Sequence, residues 1–156
     1  MIVYKVTDQL LRTRGGFQYT VGVEARPDAS KAGKGKLCGP GWLHAYEHPL
    51  IAAVMYRTHV AIDDPLLWRG DAPDEPIRKD DQSKLGVVVL TLREQLPMPA
   101  ITREQRVRFA IYCAQTVLPK KGKWVPDWSK WADEWLSGKD RSHAAAAAAD
   151  AAAAAY

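Results

Sequence analysis

One thiol and two imidazoles stand close together in the stretch CGPGWLHAYEHPL, as Cys38, His44 and His48. Side chains of this kind support two chemistries. The three could ligate zinc, with Cys113, His59 or a carboxylate as the fourth ligand. His-x3-His brings both rings to one side only when they share a helical turn. Pro49 suits the first turn of a helix, so His44 would precede it. The spacing also matches no standard finger pattern. Alternatively, Cys38 could be a nucleophile with His44 as its base, but only nearby lysines mark that thiol as special. The simpler reading makes the stretch a turn. Gly39, Pro40 and Gly41 reverse the chain, Trp42 or Leu43 anchors it, and Pro49 starts a helix. His44 is then half-buried and hydrogen-bonded, and His48 exposed at the helix start. No cofactor is expected.

Two further groups of residues suit binding rather than catalysis. Lys31, Lys34 and Lys36 form one cationic cluster and Lys120, Lys121 and Lys123 another. Both clusters contain glycine and read as loops. Basic loops can hold phosphates, although solvated surface is their ordinary state. The formal charge is +4, which argues against an acidic decoy of DNA. The Gly-rich runs at 14–16 and 34–41 fit neither GxxxxGK[ST] nor GxGxxG before a helix, so turn formation accounts for them. Trp128, Trp131 and Trp135 fall at i, i+3 and i+7, on one face of a helix. That stripe is a core face or, because tryptophan dominates binding hot spots, an interface. The acids Asp71, Asp74, Glu75, Asp80 and Asp81 lack the regular spacing of a calcium loop.

These residues need a scaffold. A chain of 156 residues suits one domain. The apolar share of 47 % is inflated by a nearly all-alanine segment at 143–156, and alanine adds little burial energy. The core must therefore come from residues 1–138, and 139–156 reads as an Ala-rich helical tail. Strands are expected at 2–7, at 17–24, where Phe17, Tyr19, Val21 and Val23 share a face, and at 41–46. A helix follows from Pro49 to about Arg57. Short strands are expected at 59–62 and 66–69, then a long polar excursion over 70–84. The run at 85–92 is apolar on both faces and reads as a central strand. Thr102 and Gln105 make a capping box for a helix over about 103–117, with Val107, Ala110, Ile111, Ala114 and Val117 or Leu118 inward. Asp127 caps a short last helix that Ser137-Gly138 ends. This order predicts an α+β fold with a mixed or antiparallel sheet of about four to six strands, helices packed on it, and the Ala-rich helix. The N-terminus runs straight into an amphipathic strand with no signal peptide. No window is apolar enough to span a membrane, and two cysteines fit a reduced, cytoplasmic protein.

Several residues together carry a resemblance. They are Arg14-Gly15-Gly16-Phe17-Gln18-Tyr19 with Val21-Gly22, then Cys38 and Gly41-Trp42-Leu43-His44-Ala45, and His48-Pro49-Leu50. Leu67-Trp68 and Ser83-Lys84 follow, then Ile101-Thr102 with Glu104-Gln105-Arg106 and Arg108-Phe109. Last come Trp131-Ala132, Trp135-Leu136-Ser137-Gly138, Asp140-Arg141-Ser142 and the alanine repeat. The chain resembles, over about residues 4–150, a domain family of bacteriophages and prophages. In that family an RGFQY element and a C-x-x-GFHA-x-x-x-P element precede an Ala-rich helical tail. This chain departs from the pattern with Gly15-Gly16 in place of one glycine and with the bulk of Trp42-Leu43 before His44. The family has no established activity. The resemblance implies a small phage accessory protein of the bacterial cytoplasm, which binds a host or viral protein complex by steric occlusion. An inhibitor of a bacterial defence system, in the manner of an anti-CRISPR protein, is its most concrete form.

The interface would use Trp128, Trp131 and Trp135 with the Ala-rich tail, or the basic loops through Lys34, Lys36, Lys120 and Lys121. The tail could also drive oligomerisation. Two alternatives stand beside this reading. The strand carrying His44, followed by a helix starting at proline, is loosely similar to ADP-ribosyltransferase-like folds. That likeness would have Arg14, His44 and Tyr46 hold a nicotinamide dinucleotide, with Glu94 or Glu104 as catalytic carboxylate. The other alternative is a nucleic-acid-binding module acting through the lysine clusters.

Overall fold

A computed structural model of the chain describes residues 1–59, 62–74, 77–79, 84–117 and 126–142. By its backbone contacts the chain divides into two compact units, Met1–Ile101 and Thr102–Tyr156. The expected single domain over 1–138 takes in all of the first unit and part of the second. The alanine tail at 143–156, with its expected helix and oligomer contact, and the lysines of 120–123 lie outside the described residues.

The first unit is built on an antiparallel sheet. Its strands are β1 (Ile2–Thr7), β2 (Glu24–Ala25), β3 (Leu43–Tyr46), β4 (Leu66–Asp71), β5 (Ile77–Lys79), β6 (Lys84–Val87) and β7 (Leu90–Leu96). They lie in the order β2-β7-β4-β1-β3-β6-β5, every pair antiparallel. β2 contributes only two residues. One helix, α1 (Pro49–His59), packs on β1, β3 and β4. The α+β class and the antiparallel sheet agree with the sequence reading, as does a helix starting at Pro49.

The sheet must be strongly coiled. Three strands lie between β6 and β7, which in a flat sheet would hold them about 19 Å apart. Only Val88 and Val89 join them, and three virtual bonds reach about 11 Å at most. The coil also explains a matter of face. In a straight strand, Leu85 and Val87 would oppose Leu90 and Leu92. Here all four are almost completely buried in one core, with Val3, Leu43, Ala45 and Trp68. The bend at Val88–Val89 restores them to the concave side. The expected continuous strand over 85–92 is therefore two strands, each second from one end of the strand order.

Three other expectations change. Residues 17–23 are not a strand. Gly15 and Gly16 take φ of 78° and 76°, and Gly22 takes 79°. Gly15 and Gly16 turn the chain within the loop that an isolated bridge between Arg12 and Gln18 closes, and Gly22 turns it again after the bridge. Tyr19 is buried, but Val21 and Val23 are exposed, so the alternation ends at Tyr19. His59 belongs to α1 rather than to a strand. The polar excursion over 70–84 contains the edge strand β5, which pairs with β6.

The second unit holds α2 (Arg103–Val117) and α3 (Pro126–Ser137). The capping box forms as read: Gln105 N donates to Thr102 Oγ1 at 3.2 Å, and Thr102 N donates to Gln105 Oε1 at 2.8 Å. Thr102→Ala should therefore cost about 1 kcal/mol, read as a lower urea midpoint of the helical signal. Ile111 is buried and Val107 half-buried, but Ala110 is exposed, against expectation. α3 starts at Pro126, where its fixed φ fits the first helical position. Gly138, at φ 81°, ends the helix by donating to Trp135 O at 3.1 Å. No helix among the described residues is long and apolar enough to cross a membrane.

Candidate functional site

The loop between β2 and β3 is folded by its own backbone. Asp28 O accepts from Lys31 N and Ala32 N, both at 2.9 Å. The Asp28 carboxylate accepts from the Ser30 hydroxyl at 2.7 Å and from Ser30 N at 2.9 Å. Those bonds, helped by the nearby Lys31 ammonium, hold its pKa below the usual carboxylate range. Gly41 closes the loop. A Cβ there would stand 2.2 Å from Lys31 O and 2.5 Å from Lys34 O, so no larger residue fits without moving backbone. Gly41 O accepts from Gly33 N at 3.0 Å, and Trp42 Nε1 donates to Gly35 O at 3.4 Å. With Leu37 and Trp42 buried underneath, the loop presents Lys31, Lys34 and Lys36 to solvent. These lysines line a hollow of about 240 Å³ beside Gly39 and Pro40.

The other side of Gly39 and Pro40 walls a larger cavity, of about 420 Å³. Its lining includes Lys5, Phe17, Tyr19, Cys38, Trp42 and His44. Lys5 sits on the core side of β1 with Val3 and Thr7, because side chains alternate along the strand. It is 7 % exposed. Its Nζ donates to His44 O at 2.5 Å and lies 5.3 Å from the centre of the Tyr19 ring. No carboxylate pairs with it among the described residues. Burial therefore pulls its pKa down to about 7. The same burial pushes the Tyr19 phenol up, which keeps it neutral at any ordinary pH. The Phe17 and Tyr19 rings meet with centres 5.0 Å apart, tilted by 60°.

The residues marked in the sequence are only partly brought together. Cys38 and His44 both line the cavity, but each is bound elsewhere. Cys38 Sγ accepts from Lys84 Nζ at 3.0 Å, and His44 Nε2 bonds to Leu37 O. His48 Nδ1 instead accepts from Leu50 N at 3.2 Å, in the first turn of α1. Among the described residues, no three His, Cys, Asp or Glu side chains gather closely enough to hold a metal ion. Cys113 lies on α2, in the other unit. Tyr46 shares a face of β3 with His44 but is buried, and it is not part of the cavity wall. The Arg14 side chain lies outside what the structure describes. Glu94 is on β7 beside Arg69, at 3.6 Å. Glu104 is on α2, bonded to Arg108 and Arg141.

The tryptophan stripe proves to be largely core. Trp135 is 5 % exposed and packs with Ile111 and Ala132, while Trp128 and Trp131 are half-buried against that cluster. The Arg141 guanidinium covers the Trp135 ring at 5.1 Å. The residues that the sequence did not point to are Lys5, Tyr19 and Lys84. One signal was present for Lys5: it is flanked by Val3, Tyr4, Val6 and Thr7, with no second charged residue to mark a solvent face.

Compared with known proteins, the chain matches no family model, no curated protein and no solved structure.

Proposed function

We propose that the chain is a phage or prophage accessory protein of the bacterial cytoplasm that binds a host or viral protein through the lysine-bearing loop at 28–41. It would act by steric occlusion, and a bacterial defence complex is its most concrete target. The observation that carries this reading is the loop itself. Lys31, Lys34 and Lys36 are exposed on a backbone that its own hydrogen bonds and Gly41 hold in place. A charged surface whose backbone is already ordered loses little entropy on docking. It fits an acidic protein surface better than a nucleic acid. Three lysines would neutralise about three phosphates at most, a contact that rising salt weakens. The tryptophan face is a poorer interface, because Trp135 is committed to packing.

The test compares the tagged full chain with a Lys31→Glu, Lys34→Glu, Lys36→Glu variant in pull-downs from infected and uninfected bacterial lysate, read by mass spectrometry. A stoichiometric partner should survive moderate salt on the original protein. Its recovery should fall at least about tenfold on the variant, where like charges now face each other. Equal recovery on both would overturn the reading. Capture of nucleic acid that collapses with salt would favour the nucleic-acid module. An ADP-ribose mass on a host protein, without a stable complex, would favour the ADP-ribosyltransferase-like enzyme.

A further inference from the structure

We propose that Lys5 is a reactive amine on the wall of a small-molecule site, which captures apolar aldehydes or ketones as imines. The reading rests on where the amine sits. The cavity of about 420 Å³ falls within the size range of ligand pockets. Its wall is mainly apolar, with Phe17, Tyr19, Pro40, Trp42 and Leu43; the titratable groups beside Lys5 and Tyr19 there are Cys38, His44 and Asp28, whose carboxylate is bonded to Ser30 rather than to Lys5. Lys5 is the lysine in that lining, and it is held from the core side of β1. Its one hydrogen-bond acceptor among the described residues is the carbonyl of His44. A backbone carbonyl orients an ammonium but does not fix its charge as a carboxylate would.

Charge state then follows from burial. With its pKa lowered to about 7, roughly half of Lys5 is neutral at pH 7. An exposed lysine is neutral there in less than about a thousandth of molecules. Desolvation in an apolar pocket is one of the established ways of making a lysine nucleophilic. The neutral Nζ would add to the carbonyl carbon, one N–H proton passing to the oxygen. The carbinolamine then loses water to leave a C=N bond, with no change of oxidation state. The ligand's remainder would lie against Tyr19 and Phe17, whose rings, 5.0 Å apart and tilted by 60°, give an apolar corner for an aromatic or aliphatic body. This site is independent of the loop lysines that carry the protein-binding reading.

The probe is benzaldehyde at low excess with sodium cyanoborohydride, which reduces an imine to a stable benzylamine. The original full chain is treated at pH 7, 8.5 and 10, and benzylated lysines are located by tandem mass spectrometry. Lys5 should be modified at least about tenfold faster than Lys31 at pH 7. That ratio should fall as the pH approaches 10, where the exposed amine becomes neutral too. A ratio at or below one at pH 7, or one that stays constant with pH, overturns the proposal.

Discussion

Trp135→Ala is expected to unfold the two-helix unit, at a cost of about 3–5 kcal/mol. The unit has a small core. Among the described residues, Ile111, Ala132 and Trp135 are its buried apolar members, with Val107, Trp128, Trp131 and Leu136 partly buried around them. Removing the indole leaves a cavity where α2 and α3 meet. It also strips the ring from beneath the Arg141 guanidinium and leaves the end of α3 held mainly by the Gly138 turn. A unit of this size has little stability in reserve, so the loss is large in relative terms. The measurement is amide hydrogen exchange of α2 and α3 with circular dichroism, because a chain of two compact units need not melt in one step. An interface residue would behave differently. Its truncation would leave exchange rates and helical signal unchanged and would affect binding alone. A cost below about 1 kcal/mol would return the tryptophan face to the list of docking surfaces.

The helix boundaries were readable because their signals are local. Pro49 fixes its own φ, Thr102 and Gln105 satisfy each other's backbone amides, and Gly138 can turn left-handed where the helix must stop. Each needs only its near neighbours. The strand errors have the opposite cause. Nothing in Val88-Val89 resembles a turn, yet the chain bends there because β6 must reach β3 and β7 must reach β4. Those pairings lie tens of residues away in sequence. Ile77–Lys79 is polar by composition and becomes a strand only because β6 has a free edge. The alternation at 17–23 looked like a strand, but three glycines at positive φ turned it into a loop. The candidate site divides in the same way. The turn at Gly39-Pro40-Gly41 was legible from its residues, and its role as a wall between hollow and cavity was not. Lys5 was hidden because its strand reads as amphipathic. Which face would be buried depends on the coil of the whole sheet.

Lys5→Met is expected to stabilise the first unit at pH 6–7 and to lose that advantage as the pH rises towards 10. The sign follows from linkage. Lys5 has a pKa of about 7 when folded and about 10.4 when unfolded. Between those values the unfolded chain holds the extra proton, so this group makes stability rise with pH. Below pH 7 both states are protonated, and the folded state carries the full cost of a buried, unpaired ammonium. A shift of more than three pH units corresponds to roughly 5 kcal/mol between the two ends of the window. Methionine has a similar length and no charge to desolvate, so it removes the slope. The hydrogen bond lost to His44 O offsets about 1.5–3 kcal/mol of this gain at pH 6, where its donor is charged. Urea unfolding of both proteins at pH 6, 8 and 10, followed through amide exchange in β1 and β3, gives the difference directly. A gap that narrows steadily from pH 6 to 10 establishes a buried amine that gives up its proton near neutrality, the state that imine formation requires. A gap that is the same at every pH would mean that Lys5 reaches water in solution, and the cavity would then lose its neutral amine.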